Sequence, residues 1–184
     1  MNALAPELSV SRWLNLAGAP PPSLSGLRGK VVVLHAFQML CPGCVSHGIP
    51  QAQKLHRLLA GRGDVVVIGL HTVFEHHAAM TEVALEAFIH EYRLTMPIGI
   101  DRPAARGPIP ETMGRYDMRG TPTTIVIDRD GVIREHAFGQ ADDLSLGVMV
   151  GALAATPPRA FATEPAVSED CAGGACAAPA SPPG

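Results

Sequence analysis

The sequence lacks an excess of charge of either sign: 14 Lys and Arg against 17 Asp and Glu leave −3 over 184 residues. So balanced a chain offers no electrostatic footprint for nucleic acid or for an acidic membrane surface. It also lacks any apolar run near the roughly 20 residues needed to cross a bilayer, so no membrane partner is expected. No internal repeat is present. The opening MNALAPELSVSRW has neither a basic n-region nor an apolar h-region, so no signal peptide and a cytoplasmic location are expected. Cysteine is scarce as well. The four cysteines form two short-range pairs, Cys41/Cys44 and Cys171/Cys176, and neither would close a long loop or contribute much stability as a staple. In a cytosolic chain, thiols of this kind are expected to be catalytic, redox-active or metal-binding.

With 47% hydrophobic and 17% charged residues, the chain is globular and long enough to bury one sizeable core. The pattern places that core in residues 1–155. Residues 5–30 mix short apolar alternation with Pro, Gly and Ser, a short strand or hairpin followed by a loop. VVVLHAF (31–37) and DVVVIGL (64–70) read as strands buried on both faces. Between them, the spacing of Ile49, Ala52, His56 and Leu59 predicts a helix that Gly61 and Gly63 end. TEVALEAFIHEY (81–92) is the clearest helix, with Leu85, Phe88, Ile89 and Tyr92 on one face and Thr81 as cap. MPIGI (96–100) predicts a short strand and residues 110–117 a short helix. A hairpin follows over 121–138 around Asp-Arg-Asp-Gly, and 141–155 is a final helix with Asp142 and Asp143 at its positive end. The expectation is an α/β fold with a central mixed sheet flanked by helices. From residue 156 the chain is a Pro/Ala/Gly-rich tail without periodicity, expected to be disordered to residue 184.

The chemistry concentrates in QMLCPGCVSHG (38–48). Cys41 falls where a strand hands over to a helix, with Pro42 in the first turn, where a residue without an N–H is at home. Free N–H groups and the helix dipole at that end stabilise a thiolate. In such C-x-x-C motifs the first thiol's pKa falls to roughly 7 or well below, against ~8.5 for free cysteine. Cys41 would then attack a substrate disulfide and Cys44 would resolve the mixed disulfide. Two inert buried thiols are the plainer alternative.

GLRGKVVVLHAFQMLCPGC and YDMRGTPTTIVIDRDG (116–131) together resemble thioredoxin-like proteins, in particular the TlpA/ResA-like redoxin branch related to AhpC/TSA. The resemblance spans about residues 5–155. It implies a thioredoxin-like fold with an N-terminal extension and an inserted helix and strand near 76–101. It implies a thiol–disulfide oxidoreductase, working as a reductase in a reducing compartment and needing no cofactor. Disulfide-containing proteins or small molecules would be its substrates, with a thiol reductant such as a thioredoxin reductase or glutathione system as donor. Pro122 would be a cis-proline packed against the CPGC pair, and the backbone of Thr121 would pair with the substrate chain. His35 stands where relatives carry Asp or Asn, which marks it for proton transfer to or from the resolving cysteine; equally, it is a hydrogen-bonded core residue. Glu75 is the candidate for the acid that this branch carries near the end of the second strand, or a solvated loop carboxylate.

The chain departs from the pattern in two places. Leu40 precedes Cys41 where thioredoxins carry Trp. Pro50 lies six residues after Cys44 rather than five, a spacing that, with the text CPGC, resembles peroxiredoxins reading TPGC. In that alternative the protein is an antioxidant thiol peroxidase with Cys44 peroxidatic and Cys41 resolving. A third reading is a metal-binding or redox-sensing module, since His71, His76 and His77 cluster in sequence and Cys44-x-x-His47 has ligand spacing. In the tail, DCAGGAC (170–176) pairs Cys171 with Cys176 across flexible glycines. That pair reads as an accessory dithiol relay, a soft metal clip or a passive end.

Overall fold

The structure is a computed structural model that describes residues 3–158. Most of the expected tail, with Cys171 and Cys176, lies outside the described residues. A six-stranded mixed sheet organises the rest. Its strands are β1 (Val10–Leu14), β2 (Val31–Phe37), β3 (Val65–His71), β4 (Ile98–Asp101), β5 (Thr123–Ile127) and β6 (Ile133–Phe138), in the spatial order β1-β4-β3-β2-β5-β6. β3 pairs in parallel with β2 and β4, while β1, β5 and β6 are added antiparallel. β2 and β3 are central, which is why they read as near-continuous Val/Ile/Leu runs: all seven residues of β2 are buried.

Alternation along these strands sorts the core into two layers. Val31, Val33, Phe37, Val65 and Val67 face α1 (Ile49–Leu58), α2 (Glu82–Glu91) and α4 (Asp143–Ala155), meeting Ile49, Leu85, Ile89 and Val150. Val32, Leu34, Ala36, Ile68 and Leu70 face the other way, against Leu24, Tyr116 and Met113 of α3 (Glu111–Arg115). Each large aliphatic side chain so buried stabilises the fold by about 1.5–3 kcal/mol. α2 and α4 begin where the sequence predicts. Thr81 Oγ1 accepts from the Ala84 N–H and Asp142 Oδ1 from the Ser145 N–H. In the β5–β6 turn, Asp128 Oδ1 accepts the N–H groups of Asp130 and Val132, while Gly131 takes a positive φ of 77°.

Two expectations are refined. Within 5–30 there is no hairpin but a single edge strand, β1, paired with β4, while Leu4 bridges to Val132 at the far side of the sheet. The helix that carries the cysteines starts at Pro42, as expected, but widens into a π turn over Cys44–Gly48 before α1, which its apolar spacing did not indicate. There the Ile49 N–H reaches back five residues to the Cys44 carbonyl. A π turn takes one residue more than an α turn, which accounts for the six-residue spacing from Cys44 to Pro50. Pro50 has no N–H to offer to the ordinary helical pattern at that point.

One buried clasp holds the sheet end that faces the site. Asp101, the last residue of β4, accepts the Thr112 N–H (2.8 Å), the Met113 N–H (3.0 Å) and the Thr72 hydroxyl (2.9 Å). It thereby ties the start of α3 to the residue that leaves β3.

Candidate active site

Cys41 and Cys44 are joined by a disulfide, with Cα atoms 5.2 Å apart. They sit at the carboxyl end of β2, where the central strand delivers the chain into the helix that starts at Pro42. Cys44 is wholly buried and faces the sheet with Gly48, whereas Cys41 is half-buried and reaches the surface. The Cys44 N–H donates to Cys41 Sγ at 3.2 Å. A helix N-terminal amide aimed at that sulfur favours its anionic form.

The Thr121–Pro122 peptide is cis. It places the Thr121 carbonyl oxygen 3.4 Å from Cys41 Sγ. Among the described residues the Thr121 N–H has no hydrogen-bond partner, so this stretch offers main-chain groups next to the exposed sulfur. Pro122 itself is wedged against the helix. A Cβ added at Gly43 would lie 3.4 Å from Pro122 Cδ, and one added at Gly48 would lie 3.1 Å from Pro122 Cβ. At Gly43 that is ordinary contact, so Gly48 is the glycine that lets the loop close on the helix. Gly48 is a residue that sequence reasoning missed; the available signal was a glycine inside a helical stretch, which usually has a packing reason.

His35 lies beneath that same glycine. A Cβ at Gly48 would come within 2.6 Å of His35 Nε2. The ring is buried, its Nδ1 lies 3.1 Å from Thr124 Oγ1, and its Nε2 has no partner among the described residues. Burial pushes its pKa down to about 4, so it is neutral near pH 7. His71, at the end of β3, is likewise buried and lowered to about 4 by desolvation. The Phe37 ring stacks over His35 at 6.5 Å and tilts against His71 at 5.4 Å. Gln38, between β2 and Leu40, is a second residue the sequence did not single out. It is buried with its Nε2 unpartnered among the described residues, and its carbonyl accepts the Cys41 N–H at 3.4 Å.

The remaining sequence candidates do not gather here. His71 is in the core, while Glu75, His76 and His77 are exposed on the loop after β3, and exposed His47 pairs with Ser46. Among the described residues no group of three or more His, Cys, Asp or Glu is placed to hold a metal ion. Leu40, in the position of the missing Trp, is 57% exposed beside the disulfide.

Comparison with known proteins agrees with this geometry. Residues 2–136 match the model of the AhpC/TSA family. Two solved structures share about half of the sequence. A thioredoxin-like superfamily protein is 50% identical, with a TM-score of 0.79 over 84% of this chain and 98% of that one. A thiol-disulfide isomerase from Corynebacterium glutamicum is 49% identical, with a TM-score of 0.76 over 83% of this chain and 97% of that one. The fold is thus thioredoxin-like. Among curated relatives, protein DipZ of Mycobacterium bovis is 31% identical over 140 residues, which are 75% of this chain but 19% of DipZ. The thiol-disulfide oxidoreductase ResA of Bacillus cereus is 29% identical over 117 residues, 64% of this chain and 60% of ResA. The chain therefore spans about a fifth of the one and three fifths of the other.

Proposed function

The chain belongs to the AhpC/TSA family, and on that footing we propose that it is a thiol–disulfide oxidoreductase acting as a reductase through Cys41 and Cys44. The observation that carries this reading is the division of labour within the pair. Cys41 reaches the surface beside the open main chain of Thr121, and Cys44 is buried directly behind it. The Cys41 thiolate attacks one sulfur of a substrate disulfide, forming a Cys41–substrate bond and expelling the other sulfur as a thiolate that takes up a proton. Cys44, losing its proton, then attacks Cys41 Sγ and expels the second substrate sulfur. Two electrons pass from the protein dithiol to the substrate, and the Cys41–Cys44 disulfide remains.

Thr121 and Pro122 form the groove in which an extended substrate chain pairs, and a protein substrate suits a sulfur that lies beside free main-chain groups. His35 serves the resolving step: it packs under Gly48, on the helix face that also carries Cys44, and its neutral imidazole can accept a proton in transit. In a reducing compartment such as the cytoplasm the pair is returned to the dithiol by an external thiol system, either thioredoxin reductase-linked or glutathione-linked. Burial of Cys44 argues against the peroxidase alternative, in which that sulfur would meet peroxide first.

The test is trapping. Cys44→Ser should accumulate a substrate adduct on Cys41, and Cys41→Ser should form none and lose reductase activity. Rapid peroxide-driven sulfenic acid formation at Cys44 in Cys41→Ser, with no adduct in Cys44→Ser, would replace the reductase with a peroxidase.

A further inference from the structure

Next to the disulfide lies a surface that the exchange chemistry does not itself require. Phe138 ends the edge strand β6 and is 50% exposed, although it is one of only five phenylalanines. Its ring covers Gly120, where an added Cβ would be 2.9 Å from Phe138 Cε2, so it borders the loop that holds Thr121 and Pro122. The Gly139 N–H locks that border by donating to the Pro122 carbonyl at 2.8 Å. Over the same ring sits the Arg119 guanidinium, 5.5 Å from the centroid. Arg119 is exposed and makes no ion pair among the described residues. Leu40, which directly precedes Cys41, is 57% exposed.

Resting on the reductase reading, we propose that Arg119 and Phe138 form a specificity subsite for an acidic residue flanking the cysteine of an extended polypeptide substrate, with Leu40 taking an apolar neighbour. A chain that pairs with the free Thr121 N–H passes alongside Gly120 and hence along Phe138. The aromatic face preorganises the guanidinium and removes part of its water, which strengthens its attraction for a carboxylate. The positive N-terminal end of the helix at Cys41 adds to the same field. Arg119 has no ion-pair partner among the described residues, so the complementary partner is a negatively charged peptide.

The experiment uses the full chain and disulfide-linked peptides identical except for Glu, Gln or Lys next to the cysteine, with hydroxyethyl disulfide as an uncharged reference. At low ionic strength, kcat/KM should favour Glu over Lys by about fivefold or more, and salt should shrink that ratio. Arg119→Glu should reverse the order and Arg119→Lys should retain it; correct folding of each is checked by the ability of the reduced protein to form the Cys41–Cys44 disulfide. Equal rates for the three peptides, or an unchanged order in Arg119→Glu, would overturn the subsite while leaving the reductase intact. Failure to reduce even hydroxyethyl disulfide would instead strike the reductase reading. If a second copy of the chain occupies this face, sedimentation will show a concentration-dependent dimer that Phe138→Asp dissolves, and the peptide subsite is then refuted.

Discussion

His35 and Thr124 are register partners across β2 and β5, and their side chains meet at 3.1 Å between Nδ1 and Oγ1. One nitrogen of the buried imidazole is thereby anchored to the sheet, and the other is left facing the helix that carries Cys44. With a pKa near 4 the ring does not store a proton at neutral pH; it can only pass one on. His35→Leu, close in volume but unable to carry a proton, should slow decay of the Cys41–substrate adduct by about a hundredfold, with little change in adduct formation. Stopped-flow separation of the two steps checks this. Equal decay rates would reduce His35 to a core residue.

The same burial makes stability depend on pH. His35 and His71 both have folded-state pKa values near 4, against 6.5 for the free side chain. Between those values the unfolded chain binds protons that the native state refuses, so stability falls as pH drops from about 6.5 toward 4. Each histidine contributes on the order of 3 kcal/mol across that window. Asp101, whose carboxyl burial holds above its ordinary value, acts in the opposite sense near the usual carboxylate range. Urea denaturation midpoints at pH 7.5, 6 and 5 should decline in that order. His71→Leu should flatten the decline, and a midpoint independent of pH would contradict the neutral burial of both rings.

Gly48→Ala places a methyl group within 2.5 Å of the His35 ring and 3.1 Å of Pro122. Both neighbours are hemmed in, so the clash cannot be relieved cheaply, and overpacking of this kind costs about 1–3 kcal/mol. The variant should unfold at lower urea in both redox states. It should also exchange more slowly with substrate, because the cis-proline loop and the helix cannot seat together. Gly147→Ala, with open space around the added Cβ, is the control and should be neutral or slightly stabilising.

Asp101→Ala removes an acceptor shared by two buried N–H groups and one hydroxyl. Leaving such donors unpaired costs about 1–3 kcal/mol for each fully buried group. The urea midpoint should fall markedly, and hydrogen exchange at the Thr112 and Met113 amides should accelerate more than in β2. Uniform acceleration would mean that the clasp belongs to the global core.

Composition and period were enough for the layered architecture. The valine-rich runs of β2 and β3, the capped helix after Thr81 and the Asp-Gly turn at 128–131 are local signals, because side-chain periodicity and capping act over a few residues. The candidate redox pair was legible for the same reason: two thiols three apart at a strand–helix junction carry their chemistry in their spacing. What sequence could not supply depends on residues brought together from afar. Why Gly48 must be glycine follows from β5 pairing with β2 and so bringing Pro122 to the helix over His35, and His71 leaves the histidine cluster for the core because β3 is laid between β2 and β4. The β2–β5 pairing spans some ninety residues of chain, and only the packed sheet decides it, because burial and register are properties of the whole core rather than of any segment.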